Sequence, residues 1–473
     1  MKPYSLLATI LLVTSTLTAS EQFPLGILGA RGQVEAGSPL VTVISTDSDS
    51  PATRAGLQAG DQIIGINEIP FLAHTKKIDD GGKGPQKTLG EALDDRAAQI
   101  EASQRKISLD LIRDKTSIQL EIELPFRPSI ASEEGRNLLI ANASRQLLET
   151  RTAKGYWNAP VGLTGDRVLS ACALLALLST NIEENKPAIE QAAEWLRGPD
   201  GKSWIPDDPM QKGPDNLGNW AISLTAIALA EHKIATGEAK NDFAIHRCCN
   251  ALATRISDEG LFGHDVVPGY SNKGFNVINT LSQLAWAMGA QVNTALNQKS
   301  WTSSLEQIRR SIDPNGGIRY WTMKGTGTGD ASLRTSSMAL ALAIADQEPQ
   351  MSQKLGSYLA NHLQRTREAH AVGSLGMMLT PSALWRLDQE GYWNFLSEWR
   401  WYLALTQRHD GSLQYIGGKG NNGGDGYLGK DRIGCIIAIL ILTPPGEKLR
   451  LHATKMAAAD KKSHKTSSEP RTP

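Results

Sequence analysis

A histidine, a tyrosine and a lysine fall within ten residues of one loop, as His264, Tyr270 and Lys273. An imidazole and a phenol held together can abstract and return a proton, as a lyase requires. Carboxylates stand before other helices of the same half of the chain, and a facing pair would suit glycoside hydrolysis. The candidate catalytic residues are therefore His264, Tyr270, Asp166, Asp330 and Asp431, with Asp425 as a further carboxylate. The alternative is structural, because aspartate is a favoured N-cap of helices.

Five other residues are candidates for ligand binding. Trp157, Trp204 and Trp321 lie on turns between predicted helices, and their large flat faces could stack on sugar rings. Asn276 and Arg334 lie at the starts of Ala/Leu-rich helices, where helix N-termini favour anions. The alternative is that the tryptophans pack the turns and the polar residues cap helices.

Metal and nucleotide chemistry are not indicated. The sequence has no Cys-x-x-Cys pair, so we predict no metal site and no cofactor. The glycine-rich loop 417–427 lacks the Gly-Lys-Ser/Thr ending of a phosphate-binding loop. The four cysteines lie in apolar runs, which predicts buried free thiols, although Cys172 and Cys435 would be neighbours in a closed ring and a bridge between them stays open.

A repeat positions these candidates. Six glycines, each followed by a polar residue or two and an Ala/Leu-rich run, recur at steps of 53, 56, 55, 44 and 56 residues: Gly165, Gly218, Gly274, Gly329, Gly373 and Gly429. Amphipathic segments precede the runs, at 134–150, 186–197, 242–256, 301–312, 350–363 and 393–406. Such a period is typical of stacked helix pairs. We predict six pairs in an (α/α)6 toroid over residues 129–450, with an open solenoid as the alternative.

Residues 21–128 predict a small β-rich domain. Short β-branched runs alternate with Gly-Asp and Ser-Pro turns, strands are predicted at 106–113 and 117–124, and a helix at 88–104. The string Ser50-Pro51-Ala52 to Gly65-Ile66-Asn67 resembles a bacterial PDZ domain. The resemblance implies a multidomain protein in which the backbone of Leu25, Gly26 and Ile27 receives the C-terminal carboxylate of a peptide or protein.

The helical half resembles the terpenoid cyclase and protein prenyltransferase superfold, because Asp/Glu-Gly-x-aromatic turns recur, as in Asp258-Glu259-Gly260-Leu261-Phe262. The catalytic motifs of those relatives are missing. Pro206-Asp207-Asp208-Pro209 does not match a cyclase acid motif, and Asp431 and Cys435 are four residues apart rather than two. The whole order resembles a family of exported bacterial proteins for which no reaction is implied.

Both ends of the chain carry further signals. Lys2, an apolar run at 5–17 and small residues at 18–20 predict a signal peptide over residues 1–20 and export to the periplasm or outside the cell, with no stable membrane anchor. Residues 451–473 predict a disordered basic tail. The 49 acidic and 49 basic residues argue against nucleic acid as a partner.

Two functions follow from these features. The first is an exported binding scaffold, in which the PDZ-like module binds a peptide terminus and the toroid binds a second ligand. The second is a carbohydrate-active enzyme, a glycoside hydrolase or lyase, with its site at the mouth of the toroid.

Overall fold

The chain is described by a computed structural model over residues 20–73, 84–180, 182–198, 204–212, 218–266, 274–321, 331–368, 373–416 and 428–454. It contains an N-terminal β-sheet domain followed by an all-helical domain. Within these ranges, no helix combines the length and the apolar character that crossing a bilayer demands. The predicted signal peptide precedes them, apart from Ser20.

The N-terminal domain is a seven-stranded sheet with two helices. The strands are β1 Ser20–Pro24, β2 Ala30–Glu35, β3 Val41–Thr46, β4 Gln62–Ile66, β5 Ile69–Pro70, β6 Lys106–Arg113 and β7 Thr116–Glu123. Their spatial order is β1-β2-β3-β4-β6-β7, with β5 paired to β4. The helices are α1 Pro51–Ala55 and α2 Pro85–Ala97.

Local chemistry explains these elements. Ser50 caps α1 by accepting a hydrogen bond from the Thr53 backbone, and Pro51 begins the helix with a suitable φ. The predicted hairpin forms at Asp114 and Lys115, both with positive φ. Helix α2 ends at Ala97, earlier than the predicted residue 104, and a 3-10 turn follows at Ala102–Arg105.

The helical domain consists of alternating inner and outer helices. The inner helices are α4 Leu163–Ser179, α6 Gly218–Thr236, α8 Asn276–Gln291, α10 Ser332–Ala345, α12 Gly373–Leu387 and α14 Lys430–Leu442. The outer helices are α3 Glu133–Glu149, α5 Lys186–Arg197, α7 Asn241–Arg255, α9 Gln298–Ser311, α11 Pro349–Asn361 and α13 Gln389–Thr406. Each begins or ends within a few residues of its prediction.

The helix pairs close into a ring. Each inner helix contacts the next, and the last, α14, contacts the first, α4. Outer helix α3 also packs against α14, so the first pair joins the last. The architecture is therefore the predicted (α/α)6 toroid and not an open solenoid.

Burial follows the composition of the two helix sets. Helix α10 is buried at every position from Ser332 to Ile344, because its serines, alanines and leucines are small or apolar. Outer helix α9 buries a single stripe that includes Trp301, Leu305 and Ile308. The inner helices therefore form the core, and the outer helices face water on one side.

Glycines in the turns set the spacing between repeats. Gly155, Gly260, Gly316 and Gly411 all have positive φ. A Cβ at each would lie 3.3 Å or less from the next outer helix, and at Gly260 only 2.2 Å from the Ser303 carbonyl oxygen. Only glycine permits this approach. Gly411 makes the contact with Asn142 of the first outer helix, which continues the same packing across the closure.

The segment after α14 packs across the toroid instead of leaving it. Leu449, Leu451 and His452 are buried. The Glu231 carboxylate of α6 accepts hydrogen bonds from the backbone N–H groups of Arg450 (2.7 Å) and Leu451 (2.8 Å). The predicted start of the disordered tail at residue 451 is therefore too early, because residues 451–453 bury apolar surface. Residues 455–473 lie outside the described residues.

Candidate functional site

His264 sits in an aromatic cluster at the inner-helix N-termini. Its Nδ1 accepts a hydrogen bond of 2.9 Å from the Trp220 indole N–H. Its ring stacks on Phe275 at 4.3 Å and on Trp220 at 6.0 Å between centroids. Because Nδ1 is an acceptor, the proton of the neutral ring is on Nε2. The contacts made by Nδ1 and the ring faces are structural, which favours the packing interpretation of this residue.

The same cluster contains three of the predicted ligand-binding residues. Trp321 lies 4.8 Å from Phe275 between ring centroids. Arg334 is buried, donates to the Ile318 carbonyl (2.9 Å), and lies over Tyr320. Asn276 is buried and donates to the Arg319 carbonyl (2.8 Å), while its Oδ1 has no hydrogen-bond partner among the described residues. The structure thus brings His264, Asn276, Trp321 and Arg334 together.

Asparagines at these helix starts tie neighbouring repeats together instead of capping their own helices. Asn219 Nδ2 donates to the Gly263 carbonyl (3.0 Å), and its backbone N–H donates to the His264 carbonyl. A buried ion pair between Arg255 and Asp265 (2.8 Å) fixes the same turn. The predicted N-cap role is therefore wrong for Asn276, because its side-chain amide donates to a carbonyl of the neighbouring repeat and accepts no hydrogen bond from the first turn of α8.

The candidate carboxylates are not assembled into a pair in the described residues. Asp166 is buried and accepts a hydrogen bond of 2.6 Å from the backbone of Ala159. Asp431 is exposed in the first turn of α14. Asp330 and Tyr270 lie outside the described residues, as do Asp425 and the loop 417–427.

Trp157 is a packing residue, which corrects its assignment as a ligand-binding candidate. Its side chain is fully buried, and its indole N–H donates to the Leu147 carbonyl at 2.7 Å. Neither a ring face nor the N–H is accessible to a ligand. The Gly155-Tyr156-Trp157 turn uses this side chain to fill the space beside α3.

Trp204 lines a large groove beside the first inner helix, which we call the Trp195–Trp204 groove. Its volume is about 1130 Å³. The turn after α3, the start of α4, helix α5, the segment after α5 and the segment before α7 form its walls. The lining residues are Ala153, Lys154, Leu163, Arg167, Glu190, Gln191, Glu194, Trp195, Arg197, Gly198, Trp204, Glu238 and Lys240. The Arg167 guanidinium lies 3.8 Å from the Trp204 ring centroid, and Trp195 stacks on Tyr156 at 4.4 Å.

Buried polar side chains support one wall of the groove. Asn241 is buried and accepts a hydrogen bond from Arg197 (2.8 Å), and its Nδ2 lies 2.9 Å from Nδ1 of His232. Nε2 of His232 donates to Glu190 (3.1 Å). Burial lowers the pKa of His232, which keeps its ring neutral and fits this tautomer. The chain of hydrogen bonds holds Glu190 and Arg197 in fixed positions.

Sequence reasoning missed most residues of this groove. Glu190 and Glu194 lie one helical turn apart on α5, next to Trp195, a spacing that puts side chains on one face. That signal was available in the sequence. Their convergence with Arg167 was not, because Arg167 lies on α4, the inner helix of the preceding repeat.

The predicted peptide-binding loop is covered. Leu25 and Ile27 are buried, and a Cβ at Gly26 would lie 2.6 Å from the Ala404 carbonyl oxygen of α13. Peptide capture at Leu25, Gly26 and Ile27 therefore requires α13 to move.

No cysteine is among the described residues that line the groove. Cys172, Cys248, Cys249 and Cys435 are free and buried, and burial raises the pKa of the Cys172 thiol to about 12. Cys172 and Cys435 do not form a disulfide. Across the described ranges, no three His, Cys, Asp or Glu side chains are grouped to hold a metal ion.

Solved structures with similar folds include three proteins. An inactive variant of an alpha-1,6-mannanase from Salegentibacter, in complex with alpha-1,6-mannotetrose, is 13% identical with a TM-score of 0.48, covering 67% of this chain and 99% of its own. A protein from Actinoplanes is 15% identical with a TM-score of 0.42, covering 67% and 100%. The apo type II terpene cyclase from Scytonema is 16% identical with a TM-score of 0.42, covering 66% and 100%.

Family models match both parts of the chain, whereas no curated protein matches it. A PDZ domain model matches residues 14–78, beginning inside the predicted signal peptide. A model described as a domain of unknown function, DUF6288, matches residues 139–452. Because this second match covers more than half of the sequence, the chain belongs to the DUF6288 family and carries a PDZ domain ahead of the family's toroid.

Proposed function

We propose that this protein is an exported binding protein whose toroid binds an oligosaccharide in the Trp195–Trp204 groove. The observation that carries the proposal is the groove itself, which combines a volume of about 1130 Å³ with two indole rings and charged side chains of both signs. Ligand sites typically have volumes of about 300–1,000 Å³. The groove therefore has room for more than one sugar unit.

The charges favour a neutral polar ligand. Three carboxylates, from Glu190, Glu194 and Glu238, stand among four cations, from Lys154, Arg167, Arg197 and Lys240. A polyanion would be repelled by the carboxylates, and a polycation by the basic groups. Sugar hydroxyls both donate and accept hydrogen bonds, so they suit a wall that offers both kinds of partner.

The aromatic rings favour a ligand with a flat apolar face. Trp195 and Trp204 are each held from one side, by Tyr156 and by Arg167, so stacking on them costs little conformational entropy.

Glycoside hydrolysis is the second candidate, and one observation favours it. Glu190 and Glu194 stand one turn apart on the groove wall, and neighbouring carboxylates can act as acid and base or nucleophile on a glycosidic bond. The predicted carboxylates Asp166 and Asp431 are not among the residues that line the groove.

Titration with a panel of neutral oligosaccharides tests the binding proposal. We expect saturable binding by the wild type, and a loss of at least about tenfold in affinity in Trp204→Ala and Trp195→Ala. Trp393→Ala is the matched control, because Trp393 is exposed on α13 and does not line the groove. Unchanged affinity in both groove variants would rule out the groove as the site.

A turnover assay separates the two candidates. Release of reducing ends by the wild type that disappears in Glu190→Gln and Glu194→Gln, with binding retained, would make the protein a hydrolase. Binding without any product supports the scaffold.

Export is part of the proposal and rests on the predicted signal peptide at residues 1–20. N-terminal sequencing of the protein from a periplasmic or culture fraction tests it. We expect a mature chain that begins near Glu21, and an intact Met1 in the cytoplasmic fraction alone would contradict export.

A further inference from the structure

The outer helix α13, Gln389–Thr406, lies across the PDZ domain. It contacts α2, the turn Gly26–Leu28 and strand β1, which together surround the place where PDZ domains take a peptide. No other outer helix has a comparable contact with the sheet domain among the described residues.

The loop glycine is explained by this helix. Gly26 has a φ of +57°, and a Cβ there would lie 2.6 Å from the Ala404 carbonyl oxygen and 3.2 Å from the Leu405 Cα. Ala404 belongs to the last turn of α13, where carbonyl groups lack partners within the helix and carry partial negative charge. The loop Leu25–Ile27 therefore packs against the C-terminal end of α13. In a peptide-binding PDZ domain, the same loop would receive the C-terminal carboxylate of the peptide.

Helix α2 also approaches α13 through a glycine. A Cβ at Gly90 would lie 2.6 Å from the Trp401 carbonyl oxygen and 2.9 Å from its Cα. Both obstacles are backbone atoms, which cannot rotate away. Glycine in a helix interior costs about 0.5–1 kcal/mol relative to alanine, so the position has a reason other than helix stability.

PDZ domains also bind a peptide by adding it as a strand to the edge of the sheet. In this chain, a strand of the domain itself occupies that edge. A strand has two hydrogen-bonding edges. Strand β2 uses one for β3 and the other for β1, with Pro24 opposite Arg31 and Phe23 opposite Gly32. The chain's own β1 therefore occupies the edge of β2 at which a peptide would add.

Ion pairs between the sheet domain and the helical domain flank the contacts made by Gly26 and Gly90. Lys87 pairs with Glu398 at 2.7 Å, and Arg400 pairs with Asp95 at 2.5 Å. Further along, Arg408 pairs with Asp47 at 2.8 Å.

A buried hydrogen bond adds to these ion pairs. The Arg127 guanidinium is buried and donates to the Gln407 carbonyl at 2.9 Å. Removing the domains from each other would leave this charge without that partner.

We propose that the ligand of the PDZ domain is the C-terminal half of helix α13 in the same chain. The PDZ domain then holds outer helix α13 in place on the toroid instead of binding a separate peptide. We call this contact the lock. This assignment does not depend on what the groove binds, so it can fail while the oligosaccharide proposal holds.

Gly90→Ala tests the proposal by the sign of its effect on Tm in the full-length protein. We expect Tm to fall, because the new Cβ collides with the α13 backbone. If the α2 face were free, alanine would improve helix propensity and Tm would rise, which would overturn the proposal.

The pair Gly26→Ala and Gly37→Ala provides a second test if Gly90→Ala does not fold. Both glycines have positive φ, but a Cβ at Gly37 meets no atom within 4 Å. The backbone cost is therefore similar, and only Gly26 faces α13. We expect a clearly larger fall in Tm for Gly26→Ala, and equal falls would contradict the lock.

Peptide binding is the third measurement. Fluorescent peptides with an apolar C-terminal residue are titrated onto the wild type, each as the free acid and as the amide. We expect no binding that depends on the free carboxylate. Carboxylate-dependent binding by the wild type would overturn the proposal, since α13 could not then be the resident ligand.

Discussion

Gln146 and Leu413 exchange two hydrogen bonds and so join the first outer helix to the last turn of the ring. Gln146 Nε2 donates to the Leu413 carbonyl at 2.8 Å, and the Leu413 N–H donates to Gln146 Oε1 at 2.6 Å. Leu413 is buried and Gln146 is half-buried. Where the first and last repeats meet, one side-chain amide therefore pairs with both polar groups of a backbone unit.

Replacing this amide should destabilise the ring. Gln146→Ala leaves a buried N–H and C=O unpaired, and we expect the free energy of unfolding to fall by about 2–3 kcal/mol. The measurement is equilibrium denaturation in urea. Gln307→Ala is the control, because Gln307 makes one bond, to the Glu259 carbonyl at 2.5 Å, between consecutive repeats on an exposed turn. An equal loss in both variants would contradict a special role in closure.

Breaking the buried ion pair of Arg255 and Asp265 should lower the free energy of unfolding more than breaking an exposed ion pair does. Both side chains are 2% exposed or less, and Arg255 also donates to the carbonyls of Pro209 and Gln211. Arg255→Ala removes the cation that pairs with this buried carboxylate, and we expect a loss of about 3–5 kcal/mol in unfolding free energy.

The matched control for this pair is Lys299→Ala. The Lys299 and Asp258 side chains are 85% and 94% exposed, so their contact is solvated and screened, and we expect no measurable change in stability. A small effect of Arg255→Ala, similar to that of the control, would show that the turn relaxes and readmits water.

His264 should prove structural. His264→Ala removes the acceptor of the Trp220 N–H and the ring between Trp220 and Phe275. We expect a loss of about 1–3 kcal/mol in unfolding free energy, with a change in tryptophan fluorescence of the native state. His246→Ala is the control because His246 is exposed. Unchanged stability in His264→Ala would revive the catalytic interpretation.

Glu231 should give the protein a pH-dependent stability. Burial raises the pKa of its carboxyl from 4.5 to about 7. Because the folded pKa lies above the unfolded one, the stabilisation is fully present below pH 4.5 and is lost as the pH rises through about 7. A shift of this size corresponds to about 3 kcal/mol.

The variant Glu231→Gln should flatten this profile between pH 4.5 and 7, since glutamine does not ionise. Unfolding free energies measured across that range check the prediction. Glu183→Gln, at a side chain 77% exposed, should keep the wild-type profile. A wild type whose stability is constant across the range would contradict the assignment to Glu231.

The sequence alone determined where the helices lie and that they come in six pairs. A repeat of glycine turns and Ala/Leu-rich runs is a local signal, since helix propensity and amphipathic spacing act over a few turns. Gly165 and Gly429 marked the first and last inner helices, which the structure places side by side. The strands of the PDZ domain were predicted for the same reason.

The tertiary structure decided what individual side chains do. Trp157 and Trp204 occupy similar turns, yet one donates its N–H to a backbone carbonyl in the core and the other lines a groove. Gly26 marks a peptide loop by its pattern but contacts a helix almost 380 residues later in the chain. The burial of a side chain and its hydrogen-bond partners depend on which distant segments of the chain pack together. The sequence around a single residue does not specify those segments.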